Sequence, residues 1–211
     1  MTLLYRLDTR SAAITDAFGA AAGDDPWAGG YAAPGSFAPI VTGGREFIAG
    51  PRKEHTKPRI TPRLWGVPPP PSAQASTRGV ATVRNPASPF WIGNLRNSEF
   101  RCLIPATSFM EWGKPNGSDG RRPQHWIAPG DQPLFAFAGV WKDSEVPSFA
   151  MMTCEPNAAY KAMGKDSMPV ILPSDERARH IWLYGSWDRA STLLQPYPSS
   201  LMRELDSAPA R

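Results

Sequence analysis

With 211 residues, 41% hydrophobic and 20% charged side chains, the chain can bury one sizeable core, and its composition is neither disordered nor fibrous. A single domain over residues 1–211 is expected. No apolar run approaches the roughly 20 residues of a membrane span, and the N-terminal stretch lacks a charged region followed by an apolar one, which argues for a cytoplasmic protein without a signal peptide. Net charge is +4 but unevenly spread: Arg45 to Arg101 holds ten Lys or Arg against three acids, and Asp143 to Arg211 seven against nine.

In chain order, Met1 to Gly23 reads as an amphipathic helix. Ile14, Ala17, Phe18 and Ala21 recur at helical spacing after a capping side chain at Asp8-Thr9. Ile40-Val41, Gly43-Gly44 and Phe47-Ile48 predict a hairpin. Seven prolines from Pro51 to Pro71 predict an irregular region, with Pro68 to Pro71 a stiff spacer that positions Trp65.

From Gly79 onward the apolar segments are short and divided by turn residues: Arg101 to Ile104, Ser108 to Trp112, Gln124 to Ala128, Leu134 to Trp141 and Ser148 to Thr153. Such a series predicts a strongly bent antiparallel sheet with a few peripheral helices, an α+β fold with a barrel-like core. The loop Gly113 to Pro123 is the longest hairpin connection. Past Met168 to Leu172, Ser174 should cap one helix and Ser186 start another through Leu193-Leu194.

Chemistry concentrates in Arg101 to Trp112, R-C-L-I-P-A-T-S-F-M-E-W. Its single acid, Glu111, sits in an apolar strand pattern, and a carboxyl removed from water must be hydrogen-bonded, paired or protonated. Spacing alone also fits an edge-strand glutamate whose head reaches solvent, and favours that reading. Cys102 and Cys154 lie in apolar segments without a C-x-x-C partner and read as core thiols. His55, His125 and His180 show no metal-ligand spacing, so neither a metal nor another cofactor is expected. The basic middle of the chain, interleaved with Trp65, Phe90 and Trp91, suits either a groove for phosphates and bases or a solvated loop surface.

Arg101 to Trp112 resembles the motif around the active-site glutamate of the SOS-response-associated peptidase (SRAP) family, whose members process abasic sites in single-stranded DNA. Met1 to Ile14, Leu64-Trp65-Gly66, Gly79 to Trp91 (G-V-A-T-V-R-N-P-A-S-P-F-W), Pro133 to Trp141 and Met168 to Leu172 resemble further family motifs in the same order. The resemblance implies the fold described above, a DNA partner with a role in DNA damage, and a site made of four residues. Family members use a terminal cysteine, exposed by removal of Met1, whose amine forms a Schiff base with the sugar aldehyde and whose thiol closes a thiazolidine.

In this chain the cysteine position is Thr2, the asparagine position is Thr82, and the histidine position is Gly164 or Lys165; the glutamate is Glu111 and the arginine after the asparagine is Arg84. A hydroxyl is a much poorer nucleophile than a thiolate. The resemblance with these substitutions implies a member that binds single-stranded DNA through Trp65 and Arg84 with its cross-linking chemistry degenerate. Two alternatives stand beside it: processing through a transient Schiff base, from the Thr2 amine or from Lys165, and a protein-interaction module without DNA binding.

Overall fold

The computed structural model of the chain describes residues 4–22, 26–44, 57–70, 79–115 and 120–205. Its centre is a closed five-strand barrel. β3 (Phe37–Thr42) pairs antiparallel with β4 (Arg59–Trp65) and β6 (Arg101–Ala106). β6 pairs with β9 (Phe135–Lys142), β9 with β10 (Ser148–Cys154), and β10 returns parallel to β4, closing the ring. Closure removes the sheet edges that would otherwise offer unpaired backbone groups. The walls are long apolar runs, and Phe135 and Phe137 on β9 meet each other and the buried Phe109 edge to face.

A second sheet runs β12 (Met202–Glu204), β8 (Gln124–Pro129), β7 (Ser108–Trp112), β1 (Tyr5–Leu7), β2 (Gly30–Ala32). Two short strands flank the end of β10: β5 (Thr82–Val83), opposite Met151 and Met152, and β11 (Met168–Pro169), opposite Thr153 and Cys154. The described helices are α1 (Ser11–Phe18), α2 (Pro89–Arg96), α3 (Ala158–Ala162), α4 (Glu176–Tyr184) and α5 (Trp187–Ser191). None of them is long and apolar enough to cross a membrane.

The five strand segments expected between Arg101 and Thr153 are β6 to β10, with ends shifted by one or two residues. Elsewhere local signals yield to tertiary pairing. Tyr5–Leu7 is a strand, and α1 begins only after it, at an Arg10 N-cap whose side chain makes no capping bond. α1 stops at Gly19, short of the expected Ala21 and Gly23. Strand β4 runs through the proline-rich region: Ile60 N and Leu64 N donate away from β3, to Ala21 O and Pro147 O, so Pro62 between them presents its missing N–H on that outer side and costs the β3–β4 ladder no bond. Phe47-Ile48 lies outside the described residues, and β3 pairs with β4 instead. Asp175, one residue after the expected Ser174, caps α4 by accepting from Arg177 N at 2.7 Å. α5 is shorter than expected and ends before Leu193. The helix α2, capped by Ser88, was not anticipated.

Two consequences bear on the site. Trp65, expected to stack bases, is fully buried: its ring lies parallel to Phe149 at 6.0 Å, 5.2 Å from Tyr5, and its Nε1 donates to Ala81 O at 2.9 Å. The adjoining Gly66 meets Gly79 so closely that a Cβ at Gly79 would stand 2.8 Å from the Gly66 carbonyl carbon. That contact explains why both motif segments carry glycine there. Arg101, counted in the basic stretch, is also buried. It donates to Gly185 O and to Leu95 O, near the C-terminal ends of α4 and α2, where helix dipoles favour a cation. Burial pushes its guanidinium down to about 10.

Candidate active site

Glu111 is not an edge-strand residue. β7 lies between β1 and β8, and Glu111 shares the inward parity of Phe109 along that strand, so its side chain is wholly buried, at 0% exposure. A buried carboxylate requires a partner. It has one: Lys165 Nζ lies 3.1 Å from Glu111 Oε2, with the lysine side chain 12% exposed.

The end of α3 places that lysine. Gly164 N donates to Lys161 O and Lys165 N to Tyr160 O, both at 2.9 Å, which is a Schellman motif with Gly164 in the left-handed region at φ +74°. Glycine at 164 therefore sets the turn, and residue 165 directs its side chain to Glu111. Of the two positions expected to match the family histidine, the structure brings Lys165, not Gly164, to the glutamate.

Next to Lys165, Asp166 accepts from Arg84 Nη1 at 3.3 Å, both heads being exposed. The Ser167 hydroxyl first, and then the Arg84 charge, hold the Asp166 carboxyl below its ordinary range. Thr82 and Arg84 approach along one edge of β10 and Lys165 along the other, because β5 and β11 both flank its end. Thr2 lies outside the described residues. Leu4, two positions on, accepts from Met110 N at 3.0 Å, so the chain enters β1 beside Glu111.

Among the other basic residues of the middle stretch, Arg45, Arg52, Lys53 and Arg78 lie outside the described residues. Arg63 is laid over the Trp141 ring at 5.0 Å, and Arg101 is in the core, so the ten charges do not act as one surface. Among the described residues of that stretch, Arg84 is the one tied to the site.

Three neighbours went unassigned in the sequence. Trp112, next to Glu111, is 41% exposed. The stem of Lys114 lies against Gly164, its Cε 3.0 Å from where a Cβ would stand. His125 is directly opposite Glu111 in the β7–β8 ladder, and its Nδ1 lies 2.7 Å from Glu204 Oε1. Strict alternation could have marked Trp112 as facing away from Glu111; nothing local pairs His125 with Glu111 from 14 positions away.

Neither thiol is placed for nucleophilic work. Cys102 is buried in the barrel wall, and burial first, then the Glu155 charge, pushes the half-buried Cys154 thiol up to about 12. Native protein should therefore resist alkylation by iodoacetamide at neutral pH, with both thiols labelled only after unfolding. Rapid labelling of the folded chain, read by mass spectrometry, would contradict this account. Among the described residues no group of three or more His, Cys, Asp or Glu could hold a metal ion.

A profile of the SOS response associated peptidases (SRAP) matches residues 1–208. The chain belongs to the SRAP family. Over 111 residues it is 39% identical to the abasic site processing protein YoaM of Bacillus subtilis and 34% identical to the abasic site processing protein YoqW of the same organism. Each match takes in 48% of this chain and 47% of the relative, so the chain is aligned over about half the length of these curated relatives. Two solved structures share the SRAP chain's fold. A protein from Bacteroides thetaiotaomicron has a TM-score of 0.72 at 17% identity, over 96% of this chain and 90% of that one. One from Bordetella bronchiseptica has a TM-score of 0.72 at 18% identity, over 97% and 100%.

Proposed function

We propose that this SRAP chain binds abasic sites in single-stranded DNA without forming the family's stable thiazolidine. The observation that carries the reading is the convergence of a buried acid, a cation and an exposed arginine at one place: Glu111, Lys165 and, through Asp166, Arg84. Two relatives named as abasic site processing proteins support the substrate class. Threonine at position 2 supports the loss of the cross-link, since a hydroxyl cannot supply the sulfur that closes the ring.

DNA contact is assigned to Arg84 and Lys114 for phosphates and to the exposed Trp112 for stacking, in place of the buried Trp65. The Arg84–Asp166 pair is solvent-exposed and therefore weak, so a phosphate can displace Asp166 readily.

The test is fluorescence anisotropy on a labelled single strand carrying a tetrahydrofuran abasic analogue, from low to physiological salt. With about three to five phosphates neutralised, the log-log salt slope should be about −2 to −3.5. Arg84→Ala should weaken binding, and Arg203→Ala, on β12, should leave it unchanged. On an oligonucleotide with a true abasic site, denaturing gels should show no heat-stable adduct. A heat-stable band would overturn the proposed loss of cross-linking; absence of binding at the lowest salt would favour a protein-interaction module.

A further inference from the structure

We propose that the ε-amine of Lys165 is a covalent capture site for aldehydes, forming a hydrolysable imine with the ring-opened sugar of an abasic site. The choice of aldehyde rests on the DNA-binding reading above; the chemistry rests on the geometry of Lys165 and Glu111.

A lysine ammonium becomes a nucleophile only when it sheds a proton, and an acceptor must lie within hydrogen-bond reach. Glu111 Oε2 is 3.1 Å from Nζ. The two groups are stacked in depth: Glu111 is fully enclosed, and Lys165 keeps 12% of its side chain exposed. An aldehyde arriving from outside meets the amine first, with the carboxylate beneath it. The Schellman bonds hold the backbone of Lys165, so the amine is presented by a fixed turn. Arg84, exposed beside it through Asp166, can hold the phosphate next to the reacting sugar.

The step balances within this pair. Nζ passes a proton to Glu111 and attacks the aldehyde carbon, forming the N–C bond. Glu111 returns the proton to the carbonyl oxygen, a second proton follows from the nitrogen through Glu111, and the C–O bond breaks with loss of water. Ammonium and aldehyde thus give a protonated imine and water, with no net change in charge and no oxidant or reductant. Because Cys102 is buried and the Cys154 thiol is held near 12, no described thiol is available to trap the imine, and water reverses it.

A buried ion pair can instead be a structural prop. Borohydride reduction on a single strand with a true abasic site separates the two. The wild-type chain should give an adduct only when borohydride is present, with the modification mapped by mass spectrometry to Lys165. Lys165→Arg keeps a cation for Glu111 and removes the primary amine; with DNA at saturating concentration it should lower trapping by about 10²-fold or more. Glu111→Gln should slow trapping by about 10²-fold, likewise at saturating DNA. Should either variant be unstable, the mapped site in the wild-type chain decides alone. An adduct on another amine, undiminished trapping by Lys165→Arg, or no trapping despite intact analogue binding would overturn this inference and leave the binding reading standing. No binding to the analogue would overturn both.

Discussion

Thr2→Cys, with Met1 removed, should cross-link abasic-site DNA only slowly, and adding Thr82→Asn and Lys165→His should accelerate it by about 10²- to 10⁴-fold for each proton-transfer group in a favourable case. The cysteine supplies the missing nucleophile but leaves the two other family positions unchanged. The structure chooses where the histidine belongs. Position 165 points to Glu111 across 3.1 Å, whereas position 164 holds φ +74° at the end of α3. A histidine at 164 would add strain of about 1–2 kcal/mol and press its Cβ against the Lys114 stem, 3.0 Å away. Cross-linking rates on denaturing gels, compared among the single variant, the triple variant and a triple variant with the histidine at 164, test this. Equal rates for all three would show that Glu111 and residue 165 are not the reacting constellation.

Trp65→Ala should cost about 3–5 kcal/mol of stability, read as a fall in the denaturant midpoint, because it empties a large volume between Tyr5 and Phe149. Trp65→Phe should keep the fold, since Ala81 O still accepts from Met151 N at 2.9 Å, and should leave DNA affinity unchanged. Trp112→Ala is expected to do the opposite. On an exposed position its stability effect should stay within about 0.5 kcal/mol, and loss of one stacked base should weaken DNA binding by about 1–3 kcal/mol. A Trp65→Phe chain that folds but no longer binds DNA would return the stacking role to the core tryptophan and refute the assignment to Trp112.

The short apolar runs from Arg101 to Cys154, divided by turn residues, determined five strands by themselves, because strands buried on both faces, as β6, β9 and β10 are, read as continuous apolar segments bounded by turns. Glycine 164, Asp175 and Ser88 likewise act locally, through backbone freedom and capping bonds. The ordered family motifs and the substitutions at positions 2, 82 and 164–165 were equally legible, since they are identities and not contacts.

What needed the tertiary structure was everything decided by who stands opposite whom. Pro62 in β4 is tolerated because its missing N–H points away from β3, on the side where Ala21 and Pro147 take the bonds of Ile60 and Leu64. Trp65 and Arg101 look like members of a basic, aromatic surface until barrel closure encloses both, one against aromatic rings and the other against carbonyls at two helix ends. Glu111 is ambiguous until β8 and β1 flank its strand. Its partner comes from 54 positions further on, because α3 ends in a left-handed glycine that turns Lys165 back over the sheet. Spacing along the chain carries no record of such a contact; the cost of leaving a buried charge unpaired selects it, and that cost exists only where tertiary packing encloses Glu111.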